Sequence, residues 1–397
     1  MPWKTITLLK ARQHLVEAVL ARRQTVQTLS TRFGISRQTA YKWLNRYRQQ
    51  GLRGLRERSR RPRRSPNRLA SFWLKAIQRV CRTRPHWGGK KIYQQLRRQY
   101  PRRRLPCVRS LQRWLQRTGW VRPRLKRARR GPPVPHPGLT VPCRPNQVWT
   151  VDFKGWFRTQ DGIRQEPLTV RDLFSRYGLC LQRLPNQDDR PVRQVMTRLF
   201  QKWGIPKAIR VDNGSPFGGK GALGLSRLSV WWLRLGIRVE FIRRARPGDN
   251  AAHEQFHGCY QREAVAQGAP NRQVMQRRSN RWLADYNQQR PHEALGQRTP
   301  ARVYRPNPRH YPLALPPLVY PKNWPVRRVR NRGHIKWQGR LRFIGRAFVG
   351  QPVGLKPLDP GVQAVYLGKL LIGHLHQKDL GGMRPARWQR RQGKLNL

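Results

Sequence analysis

Gln147-Val148-Trp149-Thr150-Val151-Asp152-Phe153 opens the part of the chain whose reading decides the fold. Side chains alternate across a β-strand, so Val148, Thr150 and Asp152 share one face. A carboxylate at the end of such a strand stands out because acids are scarce. The chain has 85 Lys and Arg against 17 Asp and Glu, a formal net charge of +68. Thirteen of the 17 acids fall between Asp152 and Glu293, so something in that stretch requires carboxylates inside a strongly basic protein.

Downstream, Leu168–Asp172 and Tyr177–Leu184 continue the sheet, and Arg190–Trp203 has the spacing of an amphipathic helix. Ala208–Val211 is a short buried strand ending at Asp212. Leu228–Leu235 reads as helix, Arg238–Ile242 as strand, and Ala251 to about Ala266 and Val274–Gln288 as helices. Three strands followed by alternating helix and strand predict an α/β sheet with carboxylates at strand ends, over 146–306. Beyond Pro306 the chain is Pro-rich, then turns to short strands punctuated by Gly333, Gly339 and Asp359-Pro360-Gly361. A linker and small β-barrel are expected over 307–397.

Upstream, residues 1–60 read as a helix-turn-helix domain. Val26, Leu29 and Phe33 share a face, Gly34-Ile35 makes the turn, and Ser36 caps a helix burying Ala40, Leu44 and Tyr47. Ser30 and Gly34 are expected where two helices approach closely. The outer face presents Arg37, Gln38, Tyr41, Lys42 and Asn45, the pattern of a recognition helix for the major groove of DNA. Arg60, Arg61, Arg63 and Arg64 lie in a basic stretch suited to phosphate contacts. Residues 61–145 hold a second helix-turn-helix-like module, with helices at Phe72–Val80, Lys90–Tyr100 and Val108–Thr118 and Ile92, Leu96, Leu111 and Leu115 as its core.

So large a positive charge repels itself unless a polyanion neutralises it, and nucleic acid is the expected partner. Fifteen Trp argue against disorder. The five cysteines are scattered without a CxxC, which speaks against a zinc knuckle or disulfide framework. No stretch has the apolar core of a signal peptide or the length of a membrane span, so the chain is read as cytoplasmic, on the nucleoid.

Cutting or joining a phosphodiester requires charge relief on the phosphate and an activated oxygen, which two divalent ions about 4 Å apart supply together. Mg²⁺ takes oxygen ligands, chiefly carboxylates and water. Asp152, Asp212 and Glu254 fit as acids converging from separate elements. Glu254 opens a helix on which His257 and Gln261 share its face while Phe256 and Tyr260 point inward. The same segment, His253-Glu254-Gln255-Phe256-His257, also spells the HExxH of zinc peptidases. No further His follows before His292 to complete such a site.

The ordered set QVWTVDFKGWF (147–157), PLTVRDLFSRY (167–177), IRVDNGSPF (209–217), GLSRLSVWWLRLGI (224–237), RPGDNAAHEQFH (246–257) and YNQQRPHEALGQRTPARVY (286–304) resembles the bacterial insertion-sequence transposases with a retroviral-integrase-type (DDE) catalytic core. The resemblance covers nearly the whole chain. It implies an RNase H-like fold and an Asp152, Asp212, Glu254 triad. It implies two Mg²⁺ or Mn²⁺ ions, Asp152 bridging both while Asp212 and Glu254 each hold one. The expected partners are double-stranded DNA, as transposon ends and as target, and further copies of the chain. Two features depart from the pattern. Asp212 and Glu254 stand 42 positions apart, longer than in compact integrase cores, with GLSRLSVWW as the expected cause. The loop RPGDNAAHE is shorter than expected. The competing reading is a non-catalytic DNA-binding regulator or an inactive transposase remnant, which has no use for the triad. Asp172 is expected in an ion pair, Glu240 and Glu263 solvated or paired, and Trp231-Trp232 in the core. Lys154, Asn213 and His257 are candidate contacts beside the triad.

Overall fold

Hydroxyl caps start the first three helices, as side chains accepting otherwise unpaired helix N–H groups. Thr7 caps α1 (Leu8–Leu20), Thr25 caps α2 (Val26–Arg32) and Ser36 caps α3 (Arg37–Gln50). Leu15, Leu29 and Ala40 pack together, and Val16, Trp43, Leu44 and Leu55 form the adjoining core. Ser30 is buried as expected. Gly34 has open space where a side chain would go, and its φ of +62° shows that the turn needs a left-handed residue, not close packing. Trp43 carries the burial expected of Tyr47, which is half-buried.

The computed structural model describes residues 7–22, 24–59, 69–121, 138–243 and 247–386. These helices belong to one compact unit, Met1–Arg68, and the remainder, Leu69–Leu397, forms a second. The second unit opens with α4 (Ser71–Thr83), α5 (Gly89–Gln99) and α6 (Val108–Arg117), whose core includes Ile77, Ile92, Leu96, Leu111 and Leu115.

Next come β1 (Val148–Phe153), a short hairpin of β2 (Phe157–Arg158) and β3 (Arg164–Gln165), β4 (Pro167–Asp172) and β5 (Gly178–Arg183). Helix α7 (Asp189–Trp203), β6 (Ala208–Val211), α8 (Arg227–Arg234) and β7 (Arg238–Phe241) follow. The five long strands form one sheet in the order β5-β4-β1-β6-β7. β4 and β5 run antiparallel as a meander from β1, whereas β6 runs parallel to β1 and β7 parallel to β6. This is the RNase H-like arrangement the resemblance implied.

The two faces of the sheet are chemically opposite. Trp149, Val151, Leu168, Val170, Ile209, Val211, Val239 and Phe241 join the main core with α7 and α8. Each large side chain fully buried there contributes about 1.5–3 kcal/mol. Pairing across the strands places Asp152 beside Thr169, Thr150 beside Arg171 and Arg210, and Arg210 beside Glu240 on the other face. Helix α9 (Ala251–Tyr260), prolonged by a π turn over Gln261–Val265, covers that polar face. Phe256 and Tyr260 pack on Trp282 of α10 (Arg272–Gln288), with ring centroids 5.2 and 5.1 Å apart. Asn287 of α10 both donates to the Gly178 carbonyl (2.9 Å) and accepts its N–H (2.8 Å). The three-helix module packs on the same side, through Arg84–Asp285 and Lys90–Glu293 ion pairs and an Arg98 hydrogen bond to the Gln289 carbonyl.

After the short α11 (Pro300–Val303), the C-terminal region is all β. β8 (Val326–Arg328), β11 (Pro352–Asp359), β12 (Val362–Leu367), β13 (Leu370–His376) and β14 (Arg384–Pro385) make an antiparallel sheet. β9 (His334–Trp337) and β10 (Arg340–Phe343) make a hairpin that shares its core. Every residue of Leu228–Leu233 in α8 is buried. A helix apolar all round must be covered all round. Here the main sheet covers one side, and the C-terminal region docks on the other, with Arg227 bonded to the Arg346 carbonyl and Arg234 to Gln351. The extra length between Asp212 and Glu254 thus forms a seat for the C-terminal region. Trp231 and Trp232 are both in this core.

Glu240 is wholly buried and accepts from Arg210 Nε (3.2 Å), Arg210 Nη2 (3.0 Å) and the Thr140 N–H (3.3 Å). Removing one partner of a buried pair leaves a desolvated charge. Glu240→Ala should destabilise the protein by about 3–5 kcal/mol in urea unfolding. Glu57→Ala, which removes the exposed partner of Arg12, should cost less than about 1 kcal/mol.

Candidate active site

Asp152 is the next-to-last residue of β1, on the polar face, Asp212 follows the last residue of β6, and Glu254 lies in the first turn of α9. Because β1 and β6 are parallel neighbours, their C-terminal ends emerge side by side and bring the two aspartates together. Asp152 and Asp212 are half-buried, whereas Glu254 is exposed. Burial, then Asp212 and Glu254, raise the Asp152 carboxyl to about 7, against an opposing backbone hydrogen bond from Phe153. Burial raises Asp212 as well, against backbone hydrogen bonds from Gly214 and its own N–H.

Among the described residues, no Lys, Arg or His forms an ion pair with any of these three acids. Among the described residues, one buried oxygen of Asp212 has no hydrogen-bond partner. Asn250 donates weakly to Asp152 Oδ2 at 3.4 Å. The desolvated Asp152 and Asp212 carboxylates fit a hard divalent cation, which would relieve the repulsion between them.

Several of the other acids are paired with cations. Glu263 takes Arg290 and the Trp282 indole N–H, and Asp249 takes Arg243. Asp172 departs from the ion pair expected of it. It accepts the N–H groups of Asn146 (2.8 Å) and Ser175 (2.7 Å) and the Ser175 hydroxyl, tying the chain that enters β1 to the turn that leaves β4 at one end of the pair.

The histidines of HEQFH point under the site. Thr169 Oγ1 lies 2.7 Å from His253 Nε2 and 2.8 Å from His257 Nε2, and Thr150 Oγ1 lies 2.6 Å from His253 Nδ1. Asp152, His253 and His257 offer ligand atoms within 4.8 Å of one another. Both rings are nevertheless engaged by threonine hydroxyls, and burial holds them neutral. His257 is lowered to about 3 by burial, then Lys154 and Arg171, and His253 falls well below its ordinary value for like reasons. Arg171 is buried beside them and donates to the Ala252 carbonyl. Sequence reasoning missed Thr150, Thr169, Arg171 and Asn250. The signal for the first three was period-two alternation, since polar residues recur on one face of otherwise apolar strands.

Arg37, Gln38, Tyr41, Lys42 and Asn45 are all exposed on α3. Arg60, Arg61, Arg63 and Arg64, and part of the RPGDNAAHE loop, lie outside the described residues. Lys154 is buried and bonds the Gly155 carbonyl, and Asn213 bonds the Ile242 carbonyl. No helix among the described residues is long and apolar enough to cross a membrane.

An RNase H-like sheet with acids at adjacent strand ends defines an integrase-type core, a fold of polynucleotidyl transferases. Integrase core domain models match residues 142–247 and 235–300. A helix-turn-helix domain model matches 11–63, a homeodomain-like domain 39–115, and the C-terminal domain of the IS481 family transposases 325–379. Models of helix-turn-helix, integrase core and IS481 family transposase C-terminal domains thus match the chain in that order. It is 29% identical over 192 residues to the insertion element IS407 uncharacterized 31.7 kDa protein of Burkholderia multivorans (strain ATCC 17616 / 249), covering 47% of this chain and 65% of that protein, just under two thirds. Among solved structures it is similar to the HTLV-2 integrase catalytic core domain in complex with magnesium, at 15% identity and a TM-score of 0.34, covering 41% of this chain and 99% of that one. The simian T-cell lymphotropic virus intasome in complex with PP2A regulatory subunit B56 gamma aligns at 15% identity and a TM-score of 0.31, over 60% of this chain and 81% of that one.

Crowding of the acids has a cost that depends on pH. An acid whose folded value is raised contributes stability that is fully present below its unfolded value, about pH 4, and is lost as pH rises through about 7. Asp152→Asn, permanently neutral, should therefore melt above the parent at about pH 8 without metal, with the difference closing near pH 4. Calorimetric scans at the two pH values check this, and added Mg²⁺ should raise the parent toward the variant at the higher pH.

Proposed function

We propose that the protein is a DNA transposase that cuts and joins strands by in-line attack of water or a DNA 3′-OH on a phosphodiester, without a covalent protein intermediate. The observation that supports this best is a desolvated Asp152 raised by Asp212 and Glu254, with none of the three in an ion pair among the described residues of a chain of net charge +68. A DNA-binding regulator gains nothing from such a cluster, which opposes folding and repels phosphate.

Asp152, Asp212 and Glu254 supply the oxygen ligands, with Asp152 between the other two. Two Mg²⁺ or Mn²⁺ ions held there would neutralise the phosphate and activate the attacking oxygen. Asn250 holds Asp152 Oδ2 in place. Residues 1–60 read the element ends through Arg37, Gln38, Tyr41, Lys42 and Asn45 on α3. The segment from Arg60 to Arg64 follows phosphates, and 61–145 adds a second grip. Residues 146–306 form the catalytic core, and 307–397 contribute further DNA or protein contacts. Several copies assemble on the two ends and the target.

Asp152→Asn, Asp212→Asn and Glu254→Gln should each abolish Mg²⁺- or Mn²⁺-dependent cleavage and joining while leaving DNA affinity intact. Strand transfer at the parental rate in any one of them removes that residue from the site. Arg37→Ala or Asn45→Ala should reduce the preference for end sequence by about 1–3 kcal/mol per lost base contact. Alanine at Arg60, Arg61, Arg63 and Arg64 should instead weaken all DNA alike and flatten the salt dependence, read from titrations across ionic strength.

A further inference from the structure

We propose that Thr169 is a positioning residue, whose hydroxyl ties His253 and His257 of α9 to the Asp152 backbone and so sets Glu254 in register with the two aspartates. The inference rests on the carboxylate reading above and assigns a task to the histidines that reading leaves over.

The hydrogen bonds can be counted. Thr169 has one hydroxyl proton, and its Oγ1 lies 2.9 Å from the Asp152 carbonyl, which only accepts. The same Oγ1 must then accept from both imidazoles, so His253 and His257 each carry the proton on Nε2. His253 Nδ1 is left to accept the Thr150 hydroxyl. Thr150, Thr169 and His253 are fully buried, so no water can substitute. In this pattern the Thr150 hydroxyl turns to His253 Nδ1 at 2.6 Å rather than to the more distant Arg171 carbonyl at 3.5 Å.

This arrangement fixes a helix in two senses. His253 and His257 stand one turn apart on the underside of α9, so anchoring both sets its roll and its position along its axis. Glu254 follows His253 directly and is carried to the open side of the site. The other end of the network is the residue that holds Asp152. A one-residue slip would turn Glu254 by roughly 100°.

The test compares full-length parent, Thr169→Val, Thr169→Ser and Asp152→Asn. Mn²⁺ affinity is measured by calorimetry without DNA, and Mn²⁺-dependent nicking is followed on a supercoiled plasmid. Thr169→Val should bind Mn²⁺ about 10- to 100-fold more weakly and nick correspondingly more slowly, with plasmid affinity unchanged. Thr169→Ser, which keeps the hydroxyl, should restore both. If Thr169→Val does not fold, His257→Gln, which keeps a donor, against His257→Leu, which does not, decides on the same measurements. Side-chain ¹⁵N–¹H correlations of the metal-free parent should show both histidines protonated at Nε2. Parental Mn²⁺ affinity and nicking in Thr169→Val, or an Nδ1–H tautomer at His253, would overturn the inference. Parental nicking by Asp152→Asn would instead overturn the carboxylate reading beneath it.

Discussion

Among the described residues Asp152, Asp212 and Glu254 stay out of every ion pair in a chain with 85 Lys and Arg, and this is the constraint on which the architecture turns. Any flexible cation within reach would neutralise them, because an opposite charge a few ångströms away favours the ionised acid strongly. The fold keeps cations off in two ways. Asp152 and Asp212 sit at the ends of parallel strands, backed by a packed sheet. The arginines nearest in the sheet are committed elsewhere, Arg210 to Glu240 and Arg171 to the Ala252 carbonyl.

The polar face of the sheet follows from the same constraint. A sheet buried on both sides ordinarily reads as continuous apolar residues. Here one face packs α7 and α8 in that manner, while the other carries Thr150, Thr169 and Arg171 beneath α9 and the Arg210–Glu240 pair against Thr140. Burying so many polar groups is tolerable only when each has a partner. Partners come from α9, through His253, His257 and the Ala252 carbonyl, and, for Arg210 and Glu240, from each other and Thr140. The helix that brings Glu254 to the site is therefore fastened by directional bonds at its start and by aromatic packing on α10 further along. Directional bonds specify one register, which a greasy contact does not.

Stability and chemistry pull apart at this site. The acids repel, and among the described residues one buried Asp212 oxygen has no hydrogen-bond partner. The cost is carried by a core that runs without interruption from the sheet through α8 into the C-terminal sheet. That continuity explains why the chain between Asp212 and Glu254 is long, since it must also seat another region.

Much of this was legible in the sequence by itself. Period-two and helical spacing located the long strands of the core and its helices, and Ser36 announced the start of α3, because these signals are local. The scarcity of acids pointed to the stretch from Asp152 to Glu293, and the ordered motifs resembling integrase-type cores named Asp152, Asp212 and Glu254 within it. Three things were decided only by tertiary structure. HEQFH reads equally as a zinc motif or a helix face until the strand facing it is known, and Thr169, 84 positions away, is what engages both rings. Asp172 reads as an ion-pair acid, but the partners within reach are backbone N–H groups at a turn. Gly34 reads as a packing glycine, but the backbone there turns left-handed in open space. In each case the sequence shows what a residue can do, and the fold, by choosing its neighbours, determines which of those things it does.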